Sequence, residues 1–309
     1  MTRRRKLSYI LLALLLLPVG AAATIGFVYL RSPPSALDLA NDLTPDRGTG
    51  ERAVRMVVDG APFGQAGLNL DVFAPDNIVT EKRPVIVFWY GGAWVKGERE
   101  SYAFVARAFA ARGYVVILPD YRKVPNVRFP VFVADGAAAL AWTAANIARF
   151  GGDPDRIAVA GHSAGAYIAA MLALDTRYTE ALPLPDDIVK AVIGLAGPYD
   201  FYPFTSDRAE AAMGYAANPL ETQPIAFASE DAPPMLLANG SADTVVRPKN
   251  ARALGLALRK AGNDEVTVKI YDGASHNDLI TPFARLFRDR YPVLNDSIDF
   301  LSANGLEAE

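Results

Sequence analysis

The chain has no cysteine and only two histidines in 309 residues. Without cysteine there is no disulfide framework, no thiolate metal site and no residue to carry the lipid of a lipoprotein. The two histidines, His162 and His276, lie far apart in sequence and offer no zinc constellation. No G-x-x-x-x-G-K-[ST] phosphate loop occurs. The net charge of −3 gives no electrostatic case for nucleic acid. No cofactor and no metal are implied. What is present suits a folded enzyme: 51% of residues are hydrophobic and 21% charged, enough for a large core.

Gly161-His162-Ser163-Ala164-Gly165 is the most informative stretch. Arg156 to Ala160 before it is a short apolar run that reads as a buried strand. Ala164 to Leu174 after it is rich in Ala, Leu and Met and reads as a helix. Strand, tight turn and helix are what a nucleophile elbow requires, with the two glycines leaving room for the turn. Ser163 is therefore the candidate nucleophile. A serine hydroxyl needs a base. His162, beside the nucleophile, reads as packing under the elbow. His276, in the polar loop after the apolar run Val266 to Tyr271, is then the candidate base.

An acid between the two completes the order Ser, Asp, His. Asp243 follows the apolar run Met235 to Ala238 and is the first choice; Asp200, after Val189 to Leu195, is the second. Tyr90-Gly91-Gly92-Ala93-Trp94 follows the apolar run Pro84 to Trp89. Paired glycines after a strand allow close approach of backbone to substrate. This loop reads as an oxyanion hole, with the amides of Gly92, Ala93 and Ala164 as donors.

These segments, with Pro119-Asp120-Tyr121-Arg122 and Gly151 to Arg156, resemble an α/β-hydrolase of the carboxylesterase type. The likeness is to the hormone-sensitive-lipase-like and feruloyl-esterase-like bacterial esterases, and its segments run through about two thirds of the chain in the family's order. The family's oxyanion motif usually opens with His and often has three glycines, where this chain has Tyr90 and Ala93 in the first and fourth places. The segment before the acid is usually His-Gly, here Asn239-Gly240. The resemblance implies an α/β-hydrolase fold, a mostly parallel sheet with helices on both faces. The strand–helix alternation agrees. Val54 to Asp59 and Leu68 to Ala74 read as an opening hairpin, Ser101 to Arg112 and Pro130 to Phe150 as helices.

At the amino terminus Arg3-Arg4-Arg5-Lys6 precedes Leu7 to Leu30, an uncharged apolar stretch. As a helix its 24 residues would span ~36 Å, enough for a tilted bilayer crossing. Residues 1–30 are expected to form one transmembrane anchor with the basic cluster in the cytoplasm. Given the bacterial source that the resemblance suggests, the catalytic domain would lie on the periplasmic or extracellular side. Ala21-Ala22-Ala23 offers the alternative of signal-peptide cleavage and secretion. Residues 31–50, with Pro33-Pro34, read as a tether. Residues 51–309 form the catalytic domain, with a cap-like insertion at about 200–234 whose Phe201, Tyr202, Phe204, Met213 and Tyr215 either line a substrate pocket or pack the insertion. The expected function is hydrolysis of a small-molecule carboxylic ester through an acyl-enzyme. An amidase or formamidase using the same triad, and a non-catalytic hydrolase-fold binding module, are the alternatives.

Overall fold

The computed structural model describes residues 32–64, 67–77 and 81–308; the expected transmembrane segment lies outside them. The opening strands β1 (Val54–Phe63) and β2 (Leu68–Pro75) pair antiparallel as the expected hairpin. Six further strands follow: β3 (Arg83–Trp89), β4 (Val115–Pro119), β5 (Gly152–His162), β6 (Ala191–Leu195), β7 (Met235–Gly240) and β8 (Val266–Tyr271). They form one sheet in the order β1-β2-β4-β3-β5-β6-β7-β8. β2 meets β4 antiparallel, and every pairing from β4 through β8 is parallel.

The central strands are buried at every position of β3, β4 and β6, the pattern of strands covered on both faces. Neighbouring residues show the two layers, because successive side chains point to opposite faces. Phe88 meets the Tyr102 ring, 6.0 Å between centroids, just before helix α2 (Ala103–Ala110). A Cβ on Gly136, in helix α3 (Val131–Asn146), would lie 3.6 Å from Trp89 on the other face. Helices therefore cover both faces. Beside α3 packs α4 (Ala164–Leu174), buried at all but one of its positions. A Cβ on Gly136 would come within 2.8 Å of Ile168 of α4, so the α3–α4 contact depends on that glycine.

Within the segment expected as a tether, residues 31–50, lies a docked helix, α1 (Pro33–Leu43). Proline suits the first turn, where its missing N–H has no partner to lose. Ala36, Leu37 and Ala40 then make a buried stripe along one side. Asp38 pairs with Arg107 of α2 at 3.0 Å, Asn41 donates to Glu51 at 3.0 Å, and the Arg285 amide donates to Asn41 at 2.8 Å. These partners lie up to 244 residues away, beyond the reach of any local pattern.

Asp200–Pro234 holds one short helix, Asp207–Met213, and two 3-10 turns. Its aromatics mostly pack the insertion onto the body. Phe201 stacks on Trp94 with centroids 6.0 Å apart and meets Phe204 at a tilt, 5.7 Å apart, and Met213 is buried. Tyr215 is exposed and lies under the Arg128 guanidinium.

Candidate active site

In the β3–β5 register Trp89 lies opposite Gly161, so the loops leaving both strands emerge side by side. β5 ends at His162 and α4 begins at Ala164, leaving Ser163 alone at the corner with φ 55° and ψ −118°. That left-handed backbone is strained for a residue with a side chain. It is held by two bonds. The Ser163 amide donates to Leu195 O at 2.8 Å, and the Tyr167 amide donates to Ser163 O at 3.1 Å. The elbow glycines are required by contact. A Cβ on Gly161 would lie 2.3 Å from the Gly165 carbonyl carbon, and one on Gly165 would lie 2.0 Å from Trp89 O.

The loop after β3 is tighter still. Gly92 has φ +143°, followed by Ala93 at 52° and Trp94 at 59°. The amides of Val95 and Lys96 close the turn onto Gly92 O, each at 3.1 Å. The N–H groups of Gly92 and Ala93 have no acceptor among the described residues. Ala164 is the first residue of α4, so its N–H has no intrahelical acceptor.

Asp243, in the loop after β7, is buried, and its Oδ2 lies 2.8 Å from His276 Nδ1. Its Oδ1 accepts from the amides of Val245 and Val246, each at 2.9 Å. Asn239 Nδ2 donates to Oδ2 at 3.0 Å. Burial raises the pKa of this carboxyl. The bond and charge of His276 and the two amides outweigh that and hold it below the usual carboxylate value. Asp200 is not brought to His276; its amide donates to Asn250 Oδ1.

Ser163 and His276 line one cavity of about 520 Å³ with Gly91, Gly92 and Ala93. The other walls were not legible from the sequence: Ser32, Pro33 and Pro34 at the start of α1, Lys96, Arg208 of the insertion, and Val245. Phe201, Tyr202, Phe204, Met213 and Tyr215 are not among its walls.

His162 is buried under the elbow, as expected, and it also ties the site together. Its Nε2 lies 3.3 Å from His276 O, which only accepts, so Nε2 carries the proton. Nδ1 then accepts from Tyr102 Oη at 3.1 Å, and Tyr102 Oη in turn accepts from the Gly91 amide at 3.2 Å. One chain of hydrogen bonds thus runs from the glycine loop to the backbone of His276. Burial, and secondarily the charge of His276, push His162 down to about 3, so its ring stays neutral. Tyr102 was missed in the sequence, where it is one aromatic in a helical stretch. Farther out, Arg122 clamps Asp135 with bonds of 3.0 and 2.6 Å, holding the loop after β4 against α3. Among the described residues no group of His, Asp and Glu is placed to hold a metal ion.

The chain is similar to known proteins both in sequence and in fold. A family model described as BD-FAE matches residues 70–258. Esterase LipC of Mycobacterium tuberculosis is 35% identical over 235 residues, covering 68% of this chain and 57% of LipC. The isoprenylcysteine alpha-carbonyl methylesterase ICME of Arabidopsis thaliana is 29% identical over 231 residues, 68% of this chain and 54% of its own. The chain thus matches little more than half the length of these curated relatives. A thermophilic esterase of Thermogutta terrifontis, solved with propionate bound, superposes with a TM-score of 0.66 at 26% identity, covering 81% of this chain and 96% of that one.

Proposed function

Because the chain belongs to the BD-FAE family of α/β-hydrolases, we propose that it hydrolyses carboxylic esters through an acyl-enzyme on Ser163. The observation that carries the reading is the 2.8 Å bond between Asp243 and His276, with His276 lining the same cavity as the strained Ser163 elbow. Ser163 Oγ attacks the acyl carbon while His276 Nε2 takes its proton. The oxyanion is received by the amides of Gly92, Ala93 and Ala164, whose donors are uncommitted among the described residues. The carbon–alkoxy bond breaks as His276 returns the proton to the departing alcohol. Water, activated by the same imidazole, then releases the acid and restores Ser163. Asp243 remains ionised throughout, fixing the imidazole with Nδ1 as donor and stabilising its cationic form.

The relatives' names favour ester over amide substrates. Leu7 to Leu30 serves in this reading as a membrane anchor, placing the catalytic domain on the face opposite Arg3-Arg4-Arg5-Lys6. Turnover of a panel of aryl and alkyl esters against matched amides tests the proposal. Ester hydrolysis that dominates over amide hydrolysis is expected; a folded protein that turns over only amides, or nothing, overturns it.

A further inference from the structure

The start of α1 is both a wall of the cavity and the first described residue after the apolar amino-terminal stretch. Ser32, Pro33 and Pro34 line the same cavity as Ser163 and His276. The apolar run ends at Leu30, so only Arg31 separates it from that wall. Two Cα–Cα steps reach at most ~7 Å.

The helix that begins at that wall, α1, is itself held in place. A free tether of residues 31–50 would let the domain wander by ~25 Å. Here α1 is anchored at its start by Ser35 to Ser101, with the hydroxyl oxygens 2.7 Å apart. Farther along, Asp38 is held by Arg107, and Asn41 by Glu51 and Arg285. The rim bears the features of a surface that meets lipid headgroups. Val245 is an apolar side chain 71% exposed at the cavity. Lys96 and Arg208 are exposed there without an ion-pair partner among the described residues. The one carboxylate among the lining residues, Glu98, accepts from Ser101 at 2.8 Å.

Resting on the ester-hydrolase and anchor readings above, we propose that the cavity opens onto the bilayer surface and that the substrates are amphiphilic esters resident in the membrane. A stretch of 24 residues exceeds the ~30 Å hydrocarbon thickness as a helix, so its end reaches the headgroup layer. The cavity wall begins after a single intervening residue, Arg31. Esters whose acyl carbon lies at headgroup depth are then presented at the rim without leaving the membrane, while dissolved esters arrive from bulk water with no such advantage.

The test inserts ~20 Gly/Ser residues between Leu30 and Arg31 of the full chain, which keeps the anchor and α1 but frees the domain. Native and inserted proteins are reconstituted in phosphatidylcholine–phosphatidylglycerol vesicles. Each is given a water-soluble butyrate ester and octadecyl butyrate held in the bilayer. The insertion is expected to leave soluble-ester turnover unchanged and to lower bilayer-ester turnover by about tenfold, as the effective concentration of the site at the surface falls. Equal turnover of the bilayer ester by both proteins, or none by the native one, overturns the proposal while cosedimentation with vesicles keeps the anchor reading. A native chain that stays in the soluble fraction overturns both. A Ser163→Ala protein as active as native on the soluble ester overturns the hydrolase reading and this proposal with it.

Discussion

The carboxyl ends of β3 and β5 and the insertion Asp200–Pro234 face the same space under opposite rules. At the strand ends Gly161 and Gly165 tolerate no Cβ, and Ser163, Ala93 and Trp94 are held at positive φ. The insertion has one seven-residue helix, two 3-10 turns, and Tyr202 and Tyr215 substantially exposed. It contributes Arg208 to the cavity, while Phe201 packs on Trp94 and Met213 is buried. Groups proposed to react sit where the backbone has no freedom.

Ser163→Ala should give the largest effect, a kcat loss of about 10⁶-fold in a protein with unchanged circular dichroism. It should also lose labelling by a fluorophosphonate probe. Persistent labelling would move the nucleophile elsewhere and dissolve the contrast between the two regions.

Asp243→Asn should follow, with a loss of about 10⁴-fold, because the imidazole would lose its orienting acceptor. Asp200→Asn, at the start of the insertion, should keep most of its activity. Reversed results in two folded proteins would assign the acid to the insertion side.

Gly165→Ala should destabilise by about 3 kcal/mol or more, since its Cβ would lie 2.0 Å from a backbone oxygen with no room to yield. Thermal unfolding measures this directly, and a Tm equal to that of the native protein would contradict the tight packing of the elbow.

His162 supplies the pH test. Its ring is held neutral, at about 3 against the usual 6.5. Below about pH 6.5 the unfolded chain therefore binds a proton that the folded chain refuses. The contribution of His162 is complete above that pH and is lost progressively as pH falls toward 3. The slope is about 1.4 kcal/mol per pH unit. Urea unfolding at pH 7 and pH 5 should show a smaller acid loss for His162→Gln; equal losses would place a different group in control. Tyr215→Ala closes the series with about 0.5 kcal/mol, the scale of an exposed cation–π contact with Arg128. A loss of several kcal/mol there would show the insertion to be as constrained as the elbow.

Much of the architecture was legible because its signals are local. Pro84 to Trp89 and Val266 to Tyr271 are apolar runs with polar flanks, and both are strands. The helix after Ser163 has the expected bounds, Ala164–Leu174. Scarcity did the rest: with two histidines, one inside the elbow, His276 stood alone as candidate base, and the structure brings it to Asp243 rather than Asp200. The misreading of residues 33–43 as part of a tether has an equally physical origin. Pro33-Pro34 marks a tether and the first turn of a helix alike, and only burial of Leu37 and Asn41 against distant partners separates the two.

The sequence by itself determined the strands before the glycine loop and the elbow, the helix after Ser163, and the chemical types available for a triad, because periodicity, glycine placement and residue scarcity are properties of neighbours along the chain. Only the tertiary structure decided which acid meets His276, that Tyr102 and His162 link the glycine loop to the backbone of His276, and that Ser32, Pro33 and Pro34 wall the cavity. Those facts depend on contacts between residues tens to hundreds of positions apart. Such contacts form through burial and hydrogen bonding across the folded core, and no window along the sequence contains both partners.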